Sequence, residues 1–187
     1  DVMEYVDDEE AAKPYQTYYD DMKQVVNREA WDGDWYLRYY DEQGQPLGSK
    51  SNTTGQIYSN AQSWTVFSGF ATQPRAISAL DAVHEQLNTS KGIKLSGPGF
   101  NGYDEAVGGV STYPPGAKEN GGIFLHANPW VMIAETLVGR GDRAFQYYDQ
   151  INPAAKNDLI DEFECEPYVY PQNILGDEHP QFGLARN

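Results

Sequence analysis

Positive charge is scarce in this sequence: 13 lysines and arginines face 28 aspartates and glutamates, a formal charge of −15. That balance argues against nucleic acid and anionic membrane surfaces as partners, and a phosphate-bearing ligand would need a local positive site. Cysteine is nearly absent. Cys165 alone excludes an internal disulfide and fits a reducing compartment, so a cytoplasmic location is expected. The three histidines, His84, His126 and His179, are far apart, so no metal site is expected. No apolar run is long enough to cross a bilayer, and no secretory leader pattern is present. A Gly-x-Ser-x-Gly elbow and a phosphate-binding P-loop are both missing, which leaves serine acyl transfer and nucleotide hydrolysis without support.

With 187 residues, the chain is long enough for one domain with a substantial core. Its 14 tyrosines, 4 tryptophans, 18 glycines and 11 prolines predict structured loops carrying flat amphipathic rings, a composition shared by sugar-binding surfaces and by folds that are merely rich in loops. The chain opens on Asp1 without an initiator methionine and ends on Asn187 without a tapering tail. Residues 1–187 are therefore expected to be one partial domain of a longer protein.

Asp7 to Glu10 reads as the acidic start of a helix or its solvated face. Tyr15, Tyr18, Tyr19, Met22, Val25 and Val26 recur at helical spacing and predict a helix to about Ala30 with one apolar face. Trp31 to Trp35 follows as a turn, and Tyr36 to Gly48 as a small hairpin. A short apolar helix over Ala61–Phe70 contains Trp64, Val66 and Phe67. The next helix is capped by Thr72 and buries Ala76, Ile77, Leu80, Val83 and Leu87, with His84 on it in a structural role. Gly92 to Gly109 reads as one long loop. Helices over Pro129–Val138 and Arg143–Ile151, the latter capped by Asp142, are joined by Gly139-Arg140-Gly141. Asn152-Pro153 starts a short one, and Glu164 to Gln181 is an aromatic loop. Helix hairpins alternating with long loops and one small β-hairpin suit a mainly α fold, an α/α toroid in which a ring of helix hairpins carries a cleft built from loops.

Gly108 to Trp130 concentrates the chemistry. Tyr113-Pro114-Pro115-Gly116 must turn sharply, with Gly116 free to take a positive φ. Lys118-Glu119 can bridge sugar hydroxyls, the ammonium donating and the carboxylate accepting; an ordinary surface ion pair is the competing reading. Gly121-Gly122 offers bare backbone that a ligand can approach. Ile123-Phe124-Leu125 is a buried anchor that delivers His126. Asn128 and Pro129 then read as the cap and first residue of a helix, so His126 stands in a positive field suited to an anion. Asp32, Asp34, Asp104 and Glu105 are further loop carboxylates without an assignable pairing.

Thr112-Tyr113-Pro114-Pro115-Gly116-Ala117-Lys118-Glu119-Asn120-Gly121-Gly122-Ile123-Phe124, followed by His126 and Asn128-Pro129-Trp130, resembles the disaccharide phosphorylases of glycoside hydrolase family ninety-four. Trp31-Asp32-Gly33-Asp34-Trp35-Tyr36-Leu37-Arg38, Gly55-Gln56-Ile57-Tyr58 and Ala61-Gln62-Ser63-Trp64 extend the similarity. Leu95 to Tyr103 and Glu164 to Pro180 look like the cellobiose-specific members, and unlike the chitobiose- and cellobionate-specific ones.

The resemblance implies inverting phosphorolysis: cellobiose and phosphate give α-glucose 1-phosphate and glucose, reversibly. Inorganic phosphate is then a co-substrate and no cofactor is expected. It also implies an (α/α)6 catalytic barrel, of which this chain is the C-terminal portion, in a homodimeric full-length protein. By position, His126 matches a phosphate-contacting histidine. Tyr113, Lys118 and Glu119 match the acceptor-glucose subsite, and Gln172 that of the transferred glucose. Glu105 aligns with no role.

The family's general acid lies in a Trp-Asn-Asp-Gly motif that is not in this chain, and Trp31-Asp32-Gly33-Asp34 differs in spacing. The Thr-Gly pair of the phosphate site falls beyond Asn187. No catalytic acid is thus assigned to these residues, and the isolated chain is expected to be inactive. Two other readings stand beside this one: an inverting hydrolase on the same barrel, with Glu119 or Asp104 positioning water, and a non-catalytic sugar-binding module.

Overall fold

Asp8 begins the first long helix: its carboxylate accepts the Ala11 amide at 3.1 Å, and Glu9 and Glu10 fill the first turn, where negative charge suits the helix dipole. The computed structural model describes residues 2–186. A single turn, α1 (Val2–Tyr5), precedes α2 (Glu9–Glu29), which ends at the expected place. The apolar face expected of α2 is only partly covered. Tyr19 and Val26 are half-buried, but Tyr15, Tyr18, Met22 and Val25 are 65, 68, 55 and 47 % exposed. Helical spacing reports that a face exists, not that anything packs on it.

Trp31 and Tyr36 close the expected turn by a β-bridge, with the Asp32 amide donating to the Trp35 carbonyl at 2.9 Å. The expected hairpin follows as β1 (Tyr39–Tyr40) and β2 (Pro46–Leu47), antiparallel with Tyr39 opposite Leu47. Next come β3 (Ile57–Tyr58), α3 (Ser59–Phe67) and α4 (Gln73–Gln86). Helix α3 starts two residues before the expected Ala61. It buries Val66 but leaves Trp64 and Phe67 45 and 46 % exposed, so those two rings are not core. Thr72 occupies the N-cap of α4 without a side-chain capping bond. Ala76, Leu80, Val83 and Leu87 are buried as expected, whereas Ile77 is exposed.

The stretch after α4, read as loop from Gly92, carries short strands. It forms β4 (Asn88–Thr89), β5 (Gly92–Ile93) and β6 (Ser96–Gly97), with β4 pairing β5 and β6 reaching back to β3. Such two-residue strands leave no alternation to read in the sequence. A 3-10 turn (Gly109–Thr112) leads to β7 (Ile123–Phe124), then α5 (Asn128–Leu137) and α6 (Gly141–Ile151). Helix α6 begins at Gly141 with Arg140 at its cap, so Asp142 lies in the first turn and is not the cap. Asn152 does cap the next segment, its side chain accepting the Ala154 amide at 3.1 Å at the head of a 3-10 helix (Pro153–Leu159), followed by α7 (Ile160–Phe163). The aromatic loop contains β8 (Asn173–Ile174), which sits between β7 and β9 (Ala185–Arg186) in a three-stranded antiparallel sheet.

The fold is mainly helical, with α3 packed on α5, α5 on α6 and α3 on α4. Its principal core is built from Tyr36, Ile57, Leu80, Val83, Val131 and Tyr147, and a second cluster around Ile123, Leu125 and Ile174 lies under the small sheet. His84 is structural, as expected: its Nδ1 lies 2.8 Å from the Tyr147 hydroxyl.

Candidate functional site

The loop from Tyr113 to Gly122 is shaped by its own glycines. Gly116 has φ +80°, and a Cβ there would stand 2.7 Å from the His179 amide nitrogen, so only glycine fits. The bare backbone of Gly121-Gly122 is not open to a ligand. Both glycines are buried, and a Cβ on Gly122 would come within 2.9 Å of the Lys118 amide nitrogen. The chain's own backbone makes the close approach that was expected of a ligand.

Three buried amide side chains hold the surrounding segments in the same manner. Asn120 accepts from the Phe100 amide at 2.7 Å and donates to the carbonyls of Phe100 and Tyr113 at 2.9 and 2.7 Å. Asn128 accepts from the Ile93 amide at 2.8 Å and donates to the carbonyls of Ile93 and Phe124 at 3.0 and 2.8 Å. Gln62 does the same to Tyr36, at 2.8 Å in both directions. An amide group presents one donor face and one acceptor, so it pairs with a lone peptide as a neighbouring strand would. Asn128 therefore does not cap α5. Ala127 occupies the cap and the Asn128 side chain is turned inward. The positional roles of Asn120 and Gln62 were missed in the sequence, because nothing local marks an asparagine or glutamine whose partner is 20 or 26 residues away.

Lys118 takes a left-handed φ of +49° and sends Nζ to Gln172 Oε1 at 2.8 Å. The ion pair with Glu119 that adjacency invites does not form among the described residues. Gln172 is also tied to the strand that leads into His126: its carbonyl accepts the Leu125 amide at 3.3 Å, one step beyond the Phe124–Asn173 pair of β7 and β8. Tyr113 is exposed and its carbonyl is tied to Asn120. Glu119 is exposed and borders a cavity of about 170 Å³ with Arg38, Tyr39, Tyr58 and Asn60. Burial, ahead of the neighbouring Tyr39, pushes the Tyr58 phenol up to about 12. The Arg38 guanidinium lies 5.7 Å from the Tyr58 ring centre. Arg38, Tyr58 and Asn60 went unassigned in the sequence, and only folding brings them to Glu119.

His126 is exposed just before α5, as expected. Its ring stands edge-on to Phe124 at 5.4 Å and to Trp130 at 5.5 Å. Contacts of this kind contribute about 0.5–1.5 kcal/mol each, enough together to favour one ring orientation. Trp130 and Trp64 meet at 5.3 Å and line an open, mostly apolar cleft of about 570 Å³ that also reaches Arg38 and Asn60. Other loop carboxylates serve turns. Asp32 accepts from Ser49 and Lys50, Asp34 pairs with Lys50 at 3.0 Å, and Asp104 accepts the Ala106 amide. Glu105 is exposed. Among the described residues, no group of three or more histidines, cysteines and carboxylates is placed to hold a metal ion, and no helix is long and apolar enough to cross a membrane.

With this geometry in view, the chain belongs to the glycosyl hydrolase 94 superfamily: the family's catalytic domain matches residues 1–187. The helix pairs described above are accordingly part of an (α/α)6 barrel. Among individual proteins, it is 35% identical over 189 residues to the N,N'-diacetylchitobiose phosphorylase of Vibrio proteolyticus, covering 100% of this chain and 24% of that protein. The N,N'-diacetylchitobiose phosphorylase of Vibrio furnissii is 36% identical over 182 residues, 96% of this chain and 23% of that protein. The solabiose phosphorylase of Paenibacillus borealis is 35% identical over 162 residues, 87% of this chain and 21% of that protein. The chain thus spans about a quarter of the length of these relatives.

Proposed function

We propose that this chain is the C-terminal portion of the catalytic domain of an inverting disaccharide phosphorylase and supplies its phosphate and acceptor-sugar walls. The observation that carries the reading is the position of Gln172, bonded through its side chain to Lys118 and through its carbonyl to the amide preceding His126. A residue assigned to the transferred sugar is thereby tied to one assigned to the acceptor and to the segment that carries the one assigned to phosphate. Tyr113, Lys118 and Glu119 would contact the acceptor, Gln172 the transferred sugar, and His126 the phosphate. Phosphate attacks the anomeric carbon as the glycosidic bond breaks, and a carboxylic acid protonates the leaving oxygen. No residue of this chain is assigned as that acid, and no cofactor is invoked.

Cellobiose is the substrate we propose, with α-glucose 1-phosphate and glucose as products. The two stretches that look cellobiose-specific, far apart in sequence, are bonded to each other. The Gly99 amide donates to Glu178 at 2.9 Å, and buried Lys94, just before the first stretch, pairs with Asp177 at 2.8 Å. A cytoplasmic homodimer is proposed on the resemblance and the cysteine content.

The test is phosphate-dependent release of glucose 1-phosphate by the full-length protein from a panel of cellobiose, chitobiose and solabiose. Release of free sugar without phosphate would establish a hydrolase instead, and preference for another disaccharide would overturn the cellobiose assignment. His126→Ala should raise the KM for phosphate roughly ten- to hundredfold, the worth of one charge-assisted bond, and leave the sugar KM nearly unchanged. An equal rise in both would remove the role given to His126.

A further inference from the structure

We infer that Trp130 is a positioning residue for His126, supported from α3 by Trp64. The inference rests on the functional reading above and adds the group that aims the histidine at its anion.

A functional imidazole is commonly oriented by a carboxylate or carbonyl on its second ring nitrogen. Among the described residues His126 has no hydrogen bond or ion pair, and its contacts are with rings. Trp130, one helical turn further along the chain, meets it at 5.5 Å with the planes 79° apart, and Phe124 meets it from the other side of the chain at 5.4 Å and 71°. The backbone between those two rings is fixed independently, since Asn128 holds the Phe124 carbonyl and both polar groups of Ile93. The main chain therefore sets where the histidine starts and the rings set where it points.

This arrangement has a chemical consequence. A ring held only by other rings has both nitrogens uncommitted, so either can donate to a phosphate oxygen. A carboxylate partner would have fixed the tautomer and added negative charge beside an anion site in an already acidic chain. Trp130 needs its own support, because it borders the open cleft of about 570 Å³. Trp64 supplies it at 5.3 Å and 68°, and Phe67 in turn meets Trp64 at 5.3 Å.

The experiment compares Trp130→Ala, Trp130→Phe and Trp64→Ala in the full-length protein, with folding checked by circular dichroism and KM measured separately for phosphate and disaccharide. Trp130→Ala should raise the phosphate KM roughly two- to tenfold, the worth of one edge-to-face contact, with the disaccharide KM within about twofold of its original value. Trp130→Phe should recover most of that loss, and Trp64→Ala should show a smaller rise of the same selectivity. An unchanged phosphate KM in a folded Trp130→Ala protein, or an equal rise in both KM values, overturns the inference. If Trp130→Ala does not fold, an unselective effect of Trp64→Ala overturns it equally. Failure of the unsubstituted protein to cleave any disaccharide with phosphate overturns the functional reading itself, and this inference with it.

Discussion

Lys118 Nζ reaches Gln172 Oε1 at 2.8 Å across a separation of 54 residues, joining the Pro-Pro-Gly loop to the residue that precedes β8 within the aromatic loop. A left-handed lysine backbone costs about 1–2 kcal/mol relative to the common conformations, and the fold retains it because Gly121, Gly122 and Gly176 close tightly around the turn.

If this bond is a true link between the two loops, Lys118→Ala and Gln172→Ala should be non-additive. A double-mutant cycle on denaturant unfolding should give a coupling energy of about 0.5–1 kcal/mol, the modest value reflecting solvent at the pair. A coupling of zero would mean that the two side chains merely happen to point at each other.

Asn120 should matter more to stability than any of the proposed ligand contacts. It is fully buried, and Asn120→Ala would leave the amide and carbonyl of Phe100 and the carbonyl of Tyr113 without their partner. The expected loss is about 2–4 kcal/mol, read as a lower urea midpoint at an unchanged m value. A loss below about 0.5 kcal/mol would show that water replaces the amide and that the loop is not held as described.

Acid stability should depend on Asp81. Burial alone would raise its carboxyl, but hydrogen bonds from Arg143 and Arg140, both at 2.6 Å, hold it below its ordinary value of 3.8. A depressed carboxylate contributes stability that is fully present above its unfolded value and is lost as pH falls through the folded one. The wild-type chain should therefore lose this contribution below pH 3.8, and Asp81→Asn should flatten that limb of the stability curve. An Asp81→Asn variant with the same acid limb as wild type would refute the linkage.

How much was legible can be judged from particular elements. The acidic entry to α2 within Asp7 to Glu10, the Trp31–Trp35 turn, the small hairpin, the positive φ of Gly116 and the Asn152 cap were all readable. Each is decided by residues within a few positions of one another, through capping, ring constraint or the missing Cβ. The burial of Ile123-Phe124-Leu125 and the delivery of His126 were readable too, from a run of three apolar side chains that ends at the histidine. Asn128 misled because a short amide before a proline has two equivalent uses, as a cap or as a clamp, and only the presence of Ile93 opposite it selects the second. Ile77 misled because hydrophobicity predicts burial only where something covers the side chain.

By itself, then, the sequence determined the helix hairpins, the sharp turns, the acidic field and the placing of one histidine before a helix. Tertiary structure alone decided that Lys118 meets Gln172 rather than Glu119, that Arg38, Tyr58 and Asn60 face Glu119 across one cavity, and that His126 is held by rings. Local order follows from backbone sterics and nearest-neighbour hydrogen bonds, which a short window contains. The site is made by segments far apart in the sequence, as Arg38 and Glu119 are, and their meeting is set by which apolar surfaces the whole chain buries together.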